Sequence, residues 1–407
     1  MNVTVIGGGP AGMIAALFAA GNGNKVTLLE KNEKLGKKLY ITGKGRCNVT
    51  NAGGPEVFMQ NVTTNARFLY SALQAFDSSD LIGMLEGAGV PLKTERGGRV
   101  FPVSDKASDI TGAFERLLRR AEVSISLHTA VSKIGIRDGR VASVQTTDGK
   151  VFQTDAVIVA TGGLSYPSTG STGDGYRFAE EAGHTITRCR PGLVPIETVE
   201  EWPAELAGIT LKNVVLSVYK GDKLLRSEMG EMLFTHFGLS GPLILSASSV
   251  LPDDLTGCRL TIDLKPALDE KTLDARLLRD LESNAGKSVG NAFHALLPSR
   301  LLKMILSLAR IDPEIKTGSF TKKMRADLLH ALKNTCLHVK TLRGFREAII
   351  TRGGVGVKQI DPSTMESRLV KGLYFAGEVL DLDAMTGGFN LQIAWTTGAA
   401  AGRSIHS

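Results

Sequence analysis

The first twelve residues constrain this chain more than any other stretch. Val3-Thr4-Val5-Ile6 reads as a short buried strand, and Gly7-Gly8-Gly9-Pro10-Ala11-Gly12 follows it directly. Gly7, Gly9 and Gly12 stand at the Gly-x-Gly-x-x-Gly spacing. The first makes a tight turn, the second lets backbone approach a pyrophosphate, and the third lets a helix pack on the sheet. An alanine-rich helix is expected from Pro10 to about Ala20, with free N–H groups and a positive dipole end for phosphates at its start. A second apolar strand, Lys25 to Leu29, ends in Glu30. Glu30 lies 18 residues past Gly12, near the roughly 20 expected for an acid that grips ribose hydroxyls. The alternative is an empty glycine turn in an ordinary α/β unit. Strand, turn, helix, strand and acid in this order favour a bound adenine dinucleotide.

A chain of 407 residues is long enough for two or three domains. No apolar run reaches the roughly 20 residues of a membrane span, and no basic leader precedes the first helix, so a cytoplasmic protein with no membrane contact is expected. Cys47, Cys189, Cys258 and Cys336 are far apart and form neither a CxxC pair nor a metal-ligand spacing. No metal site is expected. The net charge is +7, and much of the excess lies between Lys303 and Arg352, including Lys322, Lys323, Arg325, Lys333, Lys340, Arg343 and Arg346. These cations form no compact run and hardly interleave with aromatics, which favours a solvated face over a nucleic-acid surface.

Further along, Thr42-Gly43-Lys44-Gly45-Arg46-Cys47-Asn48 is a glycine- and cation-rich loop able to lie along a cofactor. Cys47 either faces that cofactor or is a small buried hydrophobe. Asp105 to Ala121 has apolar residues at helical spacing. Turns at Asp138-Gly139 and Asp148-Gly149 make Val131 to Thr154 a small antiparallel meander. Asp155 to Val159 is a buried strand ending in the small-residue turn Ala160-Thr161-Gly162-Gly163. From about Arg190 the pattern shifts to hairpins, and from Asp269 to helices. A discontinuous first domain (1–190 and 344–407) with an inserted domain (191–343; β-rich over 191–268, helical over 269–334) follows from these shifts. Gly372 to Glu378 is a last buried strand, and Gly387-Gly388 leads a small-residue helix.

Together these stretches resemble the FAD-binding domain of the two-dinucleotide-binding-domain flavoproteins. Thr42–Asn48, Phe234-Thr235-His236-Phe237-Gly238-Leu239-Ser240-Gly241-Pro242, Thr351-Arg352-Gly353-Gly354-Val355 and Gly387-Gly388-Phe389-Asn390-Leu391-Gln392 resemble, more narrowly, one bacterial flavoprotein family. Its members are labelled aminoacetone-oxidase-like or bile-acid dehydro-intermediate reductase-like. The resemblance implies a Rossmann-like α/β FAD domain with a parallel sheet and an antiparallel meander, interrupted by a β-barrel-like and helical insert. Carried onto this chain, the FAD contacts expected are Gly7, Gly9, Pro10, Ala11, Gly12, Glu30, Lys31 and Lys38 early in the chain. In the following loop and meander they are Gly43, Arg46, Cys47, Asn48 and Val131. The second turn supplies Ala160, Thr161, Gly162 and Gly163, and the C-terminal part Gly377, Glu378, Asp381, Gly388, Asn390 and Leu391. Where such flavoproteins carry Gly-Asp in the late strand, this chain has Gly377-Glu378, and either Glu378 or Asp381 is open as the acid at the ribityl chain or pyrophosphate.

Similarity to fumarate reductase and ketosteroid dehydrogenase flavoproteins at Ala160–Gly163 and Thr172–Gly175 implies hydride transfer between flavin and a carbon–carbon bond of a small or steroid-like substrate. No second dinucleotide fingerprint is present for a nicotinamide; NAD(P)H reacting transiently at the flavin face is the expected donor, with another reductant left open. His236 is a candidate proton donor or else a structural cap. Tyr166 and Arg352 either orient a carbonyl or carboxylate or serve the core and salt bridges. Two other activities are open: a flavin amine oxidase passing electrons to oxygen, and an RNA-associated flavoprotein using the basic insert.

Overall fold

The computed structural model describes residues 1–406. The chain divides into two compact units, Met1–Gly192 with Gly344–Ser407, and Leu193–Arg343. The first is laid down in chain order as β1 (Asn2–Ile6), α1 (Pro10–Gly21), β2 (Lys25–Leu29), β3 (Ser124–Ser126), β4 (Ala156–Val159), β5 (Ile186–Gly192), β6 (Ile350–Val355), β7 (Leu373–Phe375) and α2 (Phe389–Ser404). Five of these strands form a parallel sheet in the order β7-β4-β1-β2-β3. The strands β1, β2 and β4 are near-continuous apolar runs buried on both faces, as a covered parallel sheet requires. Three antiparallel strands, Val131–Arg137, Arg140–Thr146 and Val151–Gln153, make the meander expected from its two Asp-Gly turns. The Rossmann-like α/β class, with a parallel sheet and an antiparallel meander, read from the sequence is the class observed.

The pairing of β5 with β6 was not anticipated. These antiparallel strands set Arg190 opposite Arg352 and Gly192 opposite Ile350. The segment from Lys37 to Gly45, expected as loop, coils as a 3₁₀ stretch kinked at Thr42, Gly43 and Lys44.

Helices α1 and α2 pack closely because both present small residues. Gly398 and Gly402 lie one turn apart, and a Cβ on either would overlap the carbonyl oxygen of Ala11 or Ala15. The sheet and these helices share one hydrophobic core, in which Trp395 stacks on Phe114 at 4.8 Å. Replacing Gly398 with leucine is expected to cost about 3 kcal/mol or more, because the added branch meets backbone that cannot yield. Denaturant unfolding measures this. An unchanged midpoint would mean that the helices do not pack this closely.

The second unit is a closed antiparallel barrel in the order Ile196–Thr198, Gly238–Ser240, Lys223–Thr235, Thr210–Lys220, Cys258–Asp263 and Thr335–Leu342. Helices Glu270–Ser283, Ser299–Leu308 and Lys322–Lys333 accompany it; of the stripe Leu301, Ile305, Leu308 and Ala309 read from helical spacing, Leu301 and Ile305 are core and Ala309 packs against it, whereas Leu308 is exposed. Among the described residues no helix is long and apolar enough to cross a membrane.

Candidate functional site: a dinucleotide groove in the first unit

A groove enclosing about 1260 Å³ between atoms, its open mouth included, runs across the carboxyl ends of the parallel strands. This is where open α/β sheets bind ligands. Its floor is the glycine turn. Gly7 holds φ 105, and a Cβ there would stand 2.5 Å from Ala160 O. Gly9 is different: its backbone is extended and nothing lies within 4 Å of where its Cβ would be. Pro10 opens α1 and has no N–H to spend, while Met13 N–H donates to Gly9 O at 2.9 Å. The N–H groups of Ala11 and Gly12 therefore have no partner within the helix.

Glu30 is buried at the end of β2. Its Oε2 accepts from Gly8 N–H at 2.6 Å and its Oε1 from Asn32 N–H and Nδ2 at 2.8 and 2.7 Å. Oε2 keeps an acceptor site for a further donor, whereas both sites of Oε1 are taken by Asn32. Across the groove, Lys38 Nζ lies 2.6 Å from Glu378 Oε2 and 2.5 Å from Ser165 Oγ. Ser165 Oγ and Thr351 N–H donate to Glu378 Oε1 at 2.7 and 2.9 Å. Four distant segments are thus tied at one acid. Lys31 is similarly held by Asp174 at 2.6 Å.

The second helix terminus at the groove belongs to α2. Gly388 caps it with φ 99, and Gln392 N–H returns to Gly388 O, leaving the N–H groups of Phe389, Asn390 and Leu391 unpaired within the helix. Asn390's side chain is already used: it clamps the N–H and C=O of Ala384 at 2.9 and 2.7 Å. What this residue offers a ligand is its backbone.

The groove gathers Gly7, Gly9, Pro10, Ala11, Glu30, Lys31, Lys38, Val131, Ala160, Thr161, Gly162, Gly377, Glu378, Asn390 and Leu391 from the expected contact set. Gly12, Gly43, Arg46, Cys47, Asn48, Gly163, Asp381 and Gly388 are not in its lining. Each has a physical reason to be elsewhere. Gly12 and Gly388 are needed for close backbone packing, against Gly7 O and Thr50 O respectively, and Gly163 makes room for Thr351. Gly43 sits at φ 56 against Asn48 N, and the buried Oδ1 of Asn48 has no partner. Arg46 is paired with Glu95 at 2.8 Å and lies over the Phe101 ring. Leu382 lines the groove and Asp381 does not; the backbone bends there, with Leu382 N–H donating to Leu380 O at 2.7 Å. Burial pushes the Asp381 carboxyl upward, against hydrogen bonds from Thr187 and Asn65. Leu382, Ile350, Thr129 and Ala130 line the groove with no local signature in the sequence beyond proximity to named residues.

Cys47 is buried, and desolvation pushes its thiol up to about 12. A raised thiol pKa means less thiolate than an ordinary cysteine carries at neutral pH. Iodoacetamide is therefore expected to label the exposed Cys336 and to spare Cys47 until the chain unfolds, as read by peptide mass spectrometry. Rapid native labelling of Cys47 would refute its burial.

Of the candidate catalytic residues, Tyr166 and Arg352 lie in the first unit. Tyr166 is half-buried and holds φ 52, an uncommon backbone state for a bulky residue. Burial, with Glu347 adding to it, pushes its phenol upward. Arg352 sits on β6, two residues from Ile350, so the two share a strand face. His236 belongs to the barrel unit. It is exposed in the turn after Lys223–Thr235, edge-on to Phe237 at 4.9 Å. The cap of the Pro242–Ser248 helix is Gly241, so His236 does not cap it.

The groove fits FAD on its own features. Gly9 opens onto free space, two helix termini aim unspent N–H groups, and Thr161 Oγ1 is buried in the lining without a partner. Comparison with known proteins agrees. A family model described as "HI0933-like protein Rossmann domain" matches residues 1–404. The chain is 31% identical to a protein of Clostridium scindens named 3-dehydro-bile acid delta(4,6)-reductase, over 99% of this chain and 98% of that one. It is 30% identical to the ribosomal RNA dihydrouridine synthase of Escherichia coli, over 98% and 97%. Its fold is similar to that of a 3-ketosteroid-delta4-(5alpha)-dehydrogenase from Rhodococcus jostii, with a TM-score of 0.54 at 16% identity, covering 99% of this chain and 96% of that one. With the fingerprint, the groove and a family match across nearly its whole length, this chain belongs to the HI0933-like Rossmann family and is an FAD-dependent oxidoreductase.

Proposed function

We propose that this chain reduces a carbon–carbon double bond conjugated to a carbonyl, with NAD(P)H as electron donor. FAD, when bound, supplies the two-electron hydride chemistry that side chains lack. Gly7, Gly9 and Ala11 would face its pyrophosphate and Glu30 its ribose. Lys38, Glu378, Thr161 and the N–H groups of Asn390 and Leu391 would hold the remainder.

The names of the two sequence relatives meet in one chemistry. A 3-dehydro steroid with Δ4,6 unsaturation is a conjugated dienone, and dihydrouridine is uridine saturated beside its ring carbonyl. In such a reduction hydride adds at the β-carbon and a proton from water at the α-carbon. Negative charge collects on the carbonyl oxygen in between.

The observation that carries the proposal is Arg352. Its guanidinium has a buried Nε with no hydrogen-bond partner, and its side chain, 26% exposed, lies outside the groove lining on the strand face it shares with Ile350, which does line the groove. A cation with unspent donors beside the groove suits a developing oxyanion.

A free conjugated ketone is the substrate class we favour. The named relatives in rRNA modification support a second reading, in which the double bond belongs to a uracil ring in RNA. The basic segment lends it little, because Arg325, Lys333 and Arg343 are paired within their own unit to Asp274, Asp263 and Glu197 at 2.6, 2.6 and 2.7 Å.

The test is anaerobic. NADH or NADPH is expected to bleach the flavin band, and a 3-oxo-Δ4 steroid acid to restore it with formation of the saturated ketone. Restoration only by uridine-containing rRNA would move the substrate to the second reading. A flavin that NAD(P)H leaves oxidised, yet a small amine bleaches, would overturn the proposal in favour of an amine oxidase.

A further inference from the structure

Arg352 stands in an arrangement that a structural salt bridge does not explain. The strand pairing sets it directly across from Arg190 on the same sheet face, and like charges so placed repel. Its stem crosses Gly192: a Cβ on that glycine would stand 2.6 Å from Arg352 Cγ and 3.0 Å from Cδ. Only glycine lets the arginine lie there.

Its charge partner is Asp383, whose side chain is 1% exposed. The Asp383 carboxylate approaches Arg352 Nε at 3.6 Å, too far for a good hydrogen bond. Thr63 Oγ1 donates to Asp383 Oδ2, while Oδ1 is buried and unpartnered. Burying a carboxylate costs several kcal/mol unless it is well paired. Here a buried acid and a guanidinium face each other with hydrogen-bonding capacity left on both.

The backbone that carries Asp383 is fixed from two sides. Val62–Thr64 pairs with Asp383–Ala384, and Asn390 clamps Ala384 through its N–H and C=O. The acid is therefore rigid and the arginine adjustable. The neighbouring Leu382 and the strand-mate Ile350 both line the dinucleotide groove, so this pair stands just behind the groove wall.

We propose that Asp383 and Gly192 are positioning residues, which aim Arg352 at an anionic oxygen of the substrate. Gly192 gives the stem its track. Asp383 sets the direction of the guanidinium without consuming its donors. This rests on the proposed reduction of a conjugated carbonyl for its substrate. There, NAD(P)H gives up hydride and becomes NAD(P)⁺, the β-carbon gains hydride, the enolate oxygen carries the charge, and a water proton completes the saturated ketone; FAD, when bound, would supply the two-electron carrier chemistry. The placement of Arg352 itself is testable without that reaction.

The probe is 4-nitrophenol, whose phenolate is an oxyanion with its own visible band, titrated into the FAD-loaded enzyme. Wild type is expected to bind the phenolate, and Arg352→Ala to lose that binding. Asp383→Asn gives opposite results under the two possible roles. If Asp383 merely offsets charge, removing its charge tightens phenolate binding. If it positions Arg352, binding weakens by about tenfold or more, and Asp383→Asn adds nothing in an Arg352→Ala background. Gly192→Ala is expected to weaken binding similarly while Asp383 stays intact, and serves where Asp383→Asn does not fold. Equal or tighter binding by Asp383→Asn, or no phenolate binding by wild type, would overturn the proposal. If the phenolate results hold while no conjugated ketone or RNA is reduced, the assigned reaction fails and the positioning role stands.

Discussion

Replacing Gly9 with valine is expected to yield a folded protein that purifies without flavin. The three glycines of the fingerprint do different work, and substitution separates them. Gly7 holds a left-handed φ of 105 beneath Ala160 O, and a Cβ on Gly12 would overlap Gly7 O, so a side chain at either damages the fold. Gly9 has φ −77 and ψ −176, open to any residue, and no atom within 4 Å of its would-be Cβ. The folded chain has no need of glycine there. The need arises from a ligand that must touch the backbone. Valine fills that approach with three carbons, and affinity for FAD is expected to fall about 100-fold, a loss near 3 kcal/mol. Alanine should fall between valine and wild type. The ratio of flavin to protein absorbance reads occupancy, and thermal unfolding of the stripped protein reads the fold. A Gly9→Val enzyme that keeps a full complement of FAD would place the pyrophosphate elsewhere. A variant that fails to fold would mean that the open space over Gly9 is occupied by the chain.

The same contrast explains what could be read in the sequence. Turn chemistry is local, so the glycine turn, the Asp-Gly hairpins of the meander and the alternation of α1 with buried strands were legible from residue identity alone. Partnerships across the chain were not. Lys38 meets Glu378 across 340 residues, and no pattern near either announces the other. The antiparallel pairing of β5 with β6 joins strands on either side of a 151-residue unit. Side-chain partners were equally hidden. Arg46 stands within a glycine-rich loop of ligand-binding character, yet its guanidinium is taken by Glu95, Asp105 and the Phe101 ring, all remote in sequence. At the late strand Glu378 and Asp381 were both open as the acid. The backbone bends there, Leu382 N–H reaching Leu380 O at 2.7 Å, and the groove receives Glu378 and Leu382. Hydrophobic and turn signals are properties of single residues, whereas the partner of a charged side chain is a property of the fold.

Arg352→Ala is expected to leave FAD binding and reduction by NAD(P)H near wild-type rates, and to slow transfer to a conjugated ketone by about 100- to 1000-fold. The asymmetry follows from where charge appears. No new oxyanion forms while the nicotinamide donor is being oxidised, whereas the carbonyl oxygen of the substrate gains nearly a full negative charge as hydride arrives. A guanidinium aimed at that oxygen acts only in the second step, so its loss lowers kcat for turnover more than it raises KM. The alanine variant also strands Asp383, which is 1% exposed and would face no cation at the 3.6 Å that Arg352 now occupies. Some loss of stability is therefore expected, and the single-step rates must be measured on folded, flavin-loaded protein. Arg352→Lys keeps the charge opposite Asp383 but not the planar fork of donors, and should recover stability ahead of rate. Rapid-mixing absorbance separates the two steps: equal slowing of both would assign Arg352 to the cofactor, and slowing of neither would leave it a structural partner of Asp383. Selective loss in the second step would identify its guanidinium as the donor that meets the substrate's charge.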